Sequence, residues 1–448
     1  MAVSDTIAAI ATAAGPGGIG VIRVSGALAP GIAQTLLGRA PRPRHAHHCR
    51  FRTSHGELID EGLLLYFPAP RSFTGEDVVE LQAHGSPVAL QRLLRRTLEL
   101  GARLARPGEF SERAYLNDKL DLAQAEAIAD LIAAGSESAA RAAMRTLSGE
   151  FSQRVQRLSQ QLIELRVYVE AAIDFPEEEI DFLRTDEVRA RFAGIELTLH
   201  ELLAAARRGQ RLRDGLQVVI VGAPNVGKSS LLNALAGEER AIVTPVAGTT
   251  RDLLREHLVV EGLPITLIDT AGLRATTDLV EREGITRAER AAGQADLLLW
   301  VRDAGAAGAD DDALRQGIPR SVPQLIVYNK IDLIAAEPAL RRIEGGLEVR
   351  VSARSGAGLD LLRQALLQMA GLGEGSEGDF SARARHVSAL ERTQDELAAA
   401  RTLALTHAQG ELAAEHLRLA HEALGEILGR FHSDQLLGAI FSSFCIGK

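Results

Sequence analysis

The sequence predicts a multidomain α/β plus α protein: an N-terminal α+β domain, a discontinuous helical domain, and an inserted domain with a mostly parallel, doubly wound sheet. Three observations predict it. Short β-like runs and Gly-rich turns fill residues 1–118. An Ala/Leu/Arg/Glu helical texture fills 119–213 and returns in 373–448. Across 214–372, apolar β runs alternate with helical runs, which is the pattern of a parallel sheet covered by helices on both faces.

In the N-terminal domain the strand candidates are Ile7–Thr12, Gly20–Val24, Leu63–Phe67 and Asp77–Gln82, each bounded by turn residues. Val88–Leu100 has helical spacing. From Lys119 the period changes, and Leu120, Leu122, Ala125, Ile128, Ala129, Leu131 and Ile132 fit a helical face. The helical stretch breaks near Asp174–Asp181 and resumes to about Arg213. Inside the insert the strand candidates are Gln217–Val221, Ile265–Ile268, Leu297–Val301 and Gln324–Tyr328. A Gly-rich linker, GLGEGSEGD at 371–379, then leads back into helix. An insertion of this kind asks only that the chain enter and leave at neighbouring points.

A chain of 448 residues allows two to four domains, and 46% hydrophobic residues support real cores. A net charge of −9 argues against a general nucleic-acid coat, which needs a positive surface. Two local basic stretches remain, residues 91–106 with Arg92, Arg95, Arg96 and Arg103, and residues 207–213. Both read as solvated helix faces. No apolar run reaches the ~18 residues needed to span a membrane, and the N-terminus carries Asp5 and lacks a basic leader. Cys49 and Cys445 form neither a metal spacing nor a disulfide framework. A cytoplasmic protein without membrane association is the expectation.

Four short motifs follow one another in the insert: GAPNVGKSS at 222–230, GTTRD at 248–252, DTAG at 269–272 and NKID at 329–332. Gly222 and Gly227 let the backbone curl so that its N–H groups face phosphate oxygens. Lys228 sets a cation against the β- and γ-phosphates, and the Ser229 hydroxyl can ligate Mg2+. The helix opening there, Ser229–Leu235, adds its dipole. Asp269 ends a strand, where it can hold the Mg2+ shell, and Thr250 is the candidate second hydroxyl ligand. Gly272 can offer its N–H to the γ-phosphate and pivot when that phosphate leaves. Within NKID, the Asp332 carboxylate can accept both the N1–H and the 2-amino group of guanine, a paired contact that adenine lacks. Asn329 and Lys330 complete that motif, and Ser352, Ala353 and Arg354 would close over the base. Any one motif could be a chance turn. In this order they imply a Ras-like P-loop GTPase domain with GTP as substrate.

Ras-like switches often carry Gln after DTAG to orient the attacking water. Here Leu273 follows, and its side chain cannot do so. Arg274, Asp278, Glu281 and Glu283 are the nearby polar residues, and the motif alone does not choose among them. The run RDAGAAGADDD at 302–312 lies apart from the nucleotide motifs and is assigned no role.

These motifs stand with GGIGVIRVSG at 17–26, SFTGEDVVELQAHGSP at 72–87, RPGEFSERAYLNDKLDLAQAEAIADLI at 106–132 and FCIGK at 444–448. Together they resemble the MnmE (TrmE) family of tRNA-modification GTPases over essentially the whole chain. The resemblance implies a K+-dependent GTPase. Its K+ ligands fall on Asn225, Thr244, Val246 and Thr249, where a fixed cation offsets charge developing between the β- and γ-phosphates. The water-positioning carboxylate falls on Glu281, and Lys228 and Arg251 are the other catalytic candidates. The wider nucleotide contacts add Val226, Gly227 and Ser230 from the P-loop. They also add Pro245, Ala247 and Gly248 before GTTRD ends, and Thr270 and Ala271 from DTAG.

The resemblance further implies that the N-terminal domain is folate-binding and forms a homodimer. It would hold 5-formyltetrahydrofolate or a related tetrahydrofolate through Arg23, Glu80 and Lys119, with the terminal Lys448 nearby. A carboxylate suits the donors of a pterin edge, and cations suit the glutamate tail of a folate. Cys445 becomes the candidate redox or catalytic thiol; its place resembles a lipidation signal, but Gly447 and Lys448 do not fit one. The implied partners are tRNA and the FAD-containing MnmG (GidA) protein, in a heterotetramer. The implied reaction forms a carbon-5 (carboxymethyl)aminomethyl group on the wobble uridine of certain tRNAs, using a one-carbon unit from folate. The alternative is an Era-like ribosome-assembly or translation GTPase, which calls for a basic RNA-binding appendage at one end.

Overall fold

The computed structural model describes residues 5–174, 185–223, 225–236, 255–269, 295–306, 322–372, 380–407, 409–429, 434–442, 444 and 447. They form two compact units, one of residues up to 129 together with 421 onward, the other of residues 130–420.

The first unit is built on a six-stranded sheet of order β3-β4-β5-β2-β1-β6. In chain order the strands are β1 (Ile7–Ile10), β2 (Gly17–Ser25), β3 (His47–Arg52), β4 (Leu58–Phe67), β5 (Val78–Gly85) and β6 (Arg103–Leu104). All pairs are antiparallel except β1 with β6. Helices α1 (Ala29–Leu37) and α2 (Pro87–Glu99) close one core with Ile22, Val24, Phe51, Leu64, Leu81 and Leu93. α2 starts where it does because Ser86 caps the Ala89 N–H and Pro87 fits the first turn. Its buried residues Leu90, Leu93, Leu94 and Thr97 repeat every three or four positions. The strands expected from sequence match β1, β2, β4 and β5. β3 was not expected: His47, Cys49 and Phe51 point inward, and three polar residues alternate with them. α3 (Glu109–Leu116) and the start of α4 (Leu122–Ala133) pack Leu122 and Ala125 on Phe441 and Phe444.

The second unit continues from α4 through α5 (Glu137–Leu147), α6 (Glu150–Asp174) and α7 (Asp186–Asp214). Thr185 caps α7, acidic Asp186 and Glu187 open it, and Arg211 and Arg213 close it, each suited to the helix dipole. The chain then forms a seven-stranded sheet of order β12-β13-β11-β10-β7-β9-β8. The strands are β7 (Leu216–Val221), β8 (Arg255–Val260), β9 (Leu263–Asp269), β10 (Leu297–Asp303), β11 (Gln324–Asn329), β12 (Ala339–Ile343) and β13 (Gly346–Arg350). The five central strands run parallel, and only the edges β8 and β12 are antiparallel. The mostly parallel sheet expected from sequence is therefore present. Its four expected strands are β7, β9, β10 and β11. The edges β8 and β12 escaped because Arg255, Glu256 and His257 in one, and Arg341 and Arg342 in the other, interrupt any apolar run, as Glu348 does in β13. α8 (Lys228–Ala236) and α9 (Leu359–Met369) bury Leu231, Leu235, Leu362 and Leu366 against one face.

The chain returns to helix in α10 (Ala384–Thr402) and α11 (Gly410–Leu428). Phe380 stacks on Phe151 of α6 at 4.4 Å. Asp130, nearly buried, accepts from Arg213 Nε at 2.8 Å, Arg383 Nη2 at 2.7 Å and Ser381 Oγ at 2.8 Å. Arg213 ends the helix that leads into the sheet, and Ser381 and Arg383 follow the sheet, so one carboxylate holds both crossings. The break near Asp174–Asp181 and most of the Gly-rich linker lie outside the described residues.

Candidate nucleotide site

The described nucleotide motifs, the P-loop after β7, Asp269 at the end of β9 and NKID after β11, lie at the carboxyl ends of parallel strands, where open α/β sheets bind ligands. β7 runs into Gly222, and α8 opens at Lys228. A Cβ on Gly222 would lie 2.2 Å from the Val301 carbonyl oxygen, and one on Gly227 would lie 2.4 Å from Asn329 Nδ2. Gly227 also has φ +93°, which L side chains rarely adopt. Both glycines are thus demanded by neighbouring strands as well as by the curl of the loop. Asn225 is itself left-handed, with φ 64°. Lys228 is 8% exposed, and its Nζ donates to the carbonyls of Gly222 at 2.8 Å and Ala223 at 2.9 Å. The ammonium therefore arches back over the loop. Ser229 and Ser230 are exposed in the first turn of α8, the positive end of the helix. The Ser229 hydroxyl takes no hydrogen bond among the described residues, which fits a hard cation such as Mg2+.

One buried amide ties the three base-side segments together. Asn329 is 2% exposed; its Nδ2 donates to the Val226 carbonyl at 3.0 Å, and its Oδ1 accepts from Ala353 N at 2.9 Å. The P-loop, NKID and the loop after β13 are thereby locked in register. Ser352 Oγ donates to Asp332 Oδ1 at 2.6 Å and accepts from Ser355 N at 3.2 Å. Asp332 and Arg354 are exposed. Lys330, with φ 66°, donates through Nζ to the Asn225 carbonyl at 2.6 Å and to Asp303 Oδ2 at 2.9 Å. Lys330 and the Gly305 N–H hold the Asp303 carboxyl below its ordinary range. Asp303 belongs to the run 302–312, which the sequence left without a role; that reading is corrected, because β10 delivers Asp303 to the NKID lysine.

Asp269 closes β9 with its backbone beside Ile220. The expectations for Thr244, Pro245, Val246, Ala247, Gly248, Thr249, Thr250, Arg251, Thr270, Ala271, Gly272, Glu281, Cys445 and Lys448 lie outside the described residues.

In the first unit Arg23 and Glu80 face each other across β2 and β5. Arg23 Nε and Nη2 reach Glu80 Oε1 at 3.0 and 2.9 Å, and the guanidinium lies 5.3 Å from the Phe73 ring and 5.8 Å from the Phe110 ring. Lys119 Nζ donates to Pro70 O at 3.1 Å, three residues before Phe73. The aromatic-backed, half-buried Arg23 with its carboxylate partner Glu80, and the exposed Lys119, are groups that suit a flat, donor-rich heterocycle with an acidic tail. Behind them Glu109, 2% exposed, binds Arg103 and Arg113 and accepts from Arg106 N at 2.8 Å. Burial raises its pKa, but the Arg103 guanidinium and these other donors outweigh that and hold it at about 2.

In the two basic stretches Arg92 pairs with Glu57, Arg96 with Glu99, Arg103 with Glu109, Arg207 with Glu391 and Arg213 with Asp130. Burial pushes the Cys49 thiol up to about 11, so it stays protonated. No helix among the described residues is long and apolar enough to cross a membrane.

Comparison with known proteins agrees over the length of the chain. The family model for the MnmE helical domain matches residues 122–445, and that for the GTP-binding protein TrmE N-terminus matches residues 6–119. The tRNA modification GTPase MnmE of Stutzerimonas stutzeri is 56% identical over 450 residues, covering 99% of each chain. That of Azoarcus is 57% identical over 448 residues, covering 99% of this chain and 98% of its own. Among solved structures, Aquifex aeolicus Era bound to GDP and aluminium fluoride covers 40% of this chain and 66% of its own at 28% identity, with a TM-score of 0.27.

Proposed function

Because this chain belongs to the MnmE (TrmE) family of tRNA modification GTPases, we propose that its inserted sheet domain hydrolyses GTP to drive modification of the wobble uridine of certain tRNAs. The observation that carries the reading is Asn329, whose amide bridges the P-loop and the loop after β13. That bridge holds a phosphate cradle and a base-reading carboxylate at a fixed separation.

The residues divide the work by their chemistry. Backbone N–H groups from Asn225 to Ser230 and the Lys228 ammonium bind the phosphates. Asp332 reads guanine, with Ser352 orienting the carboxylate through one lone pair of Oδ1, so that the other Oδ1 lone pair and Oδ2 can accept the two base donors. Ser229 and Thr250 would hold Mg2+, with Asp269 supporting it, and the ion would supply positive charge against the β- and γ-phosphates. Asn225, Thr244, Val246 and Thr249 would hold K+, which would supply the positive charge that an arginine finger brings elsewhere. Glu281 orients the attacking water, a task Leu273 cannot perform. Arg251, in the GTTRD segment with Thr250, is a further catalytic candidate.

In the first unit Arg23, Glu80 and Lys119, with Lys448, bind a tetrahydrofolate whose one-carbon unit enters the product. Cys445 is the thiol that the family resemblance assigns to redox or catalysis. We infer a cytoplasmic homodimer formed through the N-terminal domain, joined to the flavoprotein MnmG in a heterotetramer. Nucleoside mass spectrometry of bulk tRNA from cells lacking this protein, then restored, tests the reading. Loss and rescue of carbon-5 aminomethyl wobble uridines is expected; an unchanged profile would overturn it.

A further inference from the structure

We infer that the outer edge of the N-terminal sheet, from Arg39 to Arg52, is the surface on which the tRNA phosphate backbone docks; this rests on the tRNA-directed function above. Between Gly38 and Gly56 the chain has five arginines, four histidines and no carboxylate, within a protein of net charge −9. β3 is the edge strand of its sheet. His48, Arg50 and Arg52 point outward along it, while His47, Cys49 and Phe51 point into the core. Arg39, Arg42 and Arg44 stand exposed in the loop before it, and Arg71 stands exposed beside that loop. Of these outward arginines, Arg50 is paired with Glu61 at 3.1 Å. Arg39, Arg42, Arg44, Arg52 and Arg71 have no carboxylate partner among the described residues.

The loop is pinned. The Arg42 N–H donates to His47 Nε2 at 2.9 Å, the Arg44 N–H donates to the Tyr66 carbonyl at 2.8 Å, and the Arg44 guanidinium donates to the Arg71 carbonyl. His45 meets the His47 ring edge-on at 4.8 Å. The guanidinium groups therefore project from fixed backbone, which lowers the ordering cost of binding. Guarding a sheet edge against aggregation accounts for Arg50 and Arg52, but not for the three arginines in the preceding loop. A protein partner needs buried aromatic or aliphatic anchors, and the exposed apolar residues of this loop are only Ala40, Pro43 and Ala46. Forked guanidinium groups without such anchors match phosphate oxygens.

The test measures tRNA binding by the full-length protein between about 50 and 200 mM salt. It compares the wild type with an Arg39→Gln/Arg42→Gln/Arg44→Gln triple variant and with the matching triple Lys variant. Each lost phosphate contact removes about 0.7–0.9 from the slope of log affinity against log salt. The Gln variant is expected to lose roughly 2–3 in slope and 10- to 100-fold in affinity at low salt. The Lys variant should retain most of both, and all three proteins should hydrolyse GTP alike. A Gln variant with the wild-type slope and affinity overturns the surface while leaving the function standing. A Gln variant that loses an acidic partner protein but keeps tRNA overturns it too. A wild type that binds no tRNA at any salt overturns the functional reading, and the surface with it.

Discussion

Lys330 joins two loops that the sequence keeps far apart, donating to Asp303 at the end of β10 and to the Asn225 carbonyl in the P-loop. Its stem and ammonium thus brace the floor of the nucleotide site from the base side.

Asp303→Asn should loosen that brace. A partly exposed pair contributes about 1 kcal/mol or less, so GTP and GDP should each bind about 3- to 5-fold more weakly, with the hydrolysis step unchanged. Calorimetric titration of both nucleotides checks it. The Asp303 carboxyl is lowered by Lys330, so the pair's contribution is present above the ordinary carboxylate value of 3.8 and is lost as pH falls below it.

Asp332→Asn should cost about 2–3 kcal/mol of GTP binding, roughly 30- to 150-fold, because an amide cannot accept from both guanine donors. Xanthine nucleotides, which present an acceptor at the matching edge, should gain. GTP affinity equal to wild type would remove Asp332 from base recognition.

Glu281→Ala should bind GTP as the wild type does but hydrolyse it about 100-fold more slowly in K+. Single-turnover hydrolysis with saturating enzyme separates the two steps. A wild-type rate would reassign the water to another residue.

Glu109→Gln tests the buried ion cluster of the N-terminal unit. The pKa held near 2, against an ordinary 4.5, means that the unfolded chain binds more protons between these values. The stabilisation is therefore complete above about pH 4.5 and lost as pH falls toward 2. At neutral pH the substitution should destabilise that unit by about 3 kcal/mol. Denaturant melts at several pH values check it, with the variant and wild type converging in acid.

The central strands β7, β9, β10 and β11 were legible because they are continuous apolar runs, as parallel strands buried on both faces must be. β3, β8 and the β12–β13 hairpin were not, because edge strands carry charge that hides their period. Gly222, Lys228, Asn329 and Ser352 were legible as motif members. The hydrogen bonds of Asn329 to Val226 and Ala353 were not, since only the strand order brings those three segments together. Asp303 was missed for the same reason: an Asp after a strand looks like a solvated turn until the neighbouring strand places Lys330 beside it. The arginines at 207–213 read as a solvated face, and Arg213 instead spends its charge on Asp130.

Asp130 has a consequence in polymer terms. With Arg213 and Arg383 both on its carboxylate, the sheet domain is a ring closed by an ionic clasp, and Ala142 of α5 packs into the core of that ring as well. The entropy of closing a loop grows with the logarithm of its length, about 0.6 kcal/mol for each doubling. The length of chain inside the ring therefore costs the helical layer little, while Asp130 helps set how firmly the two ends of the ring are held together.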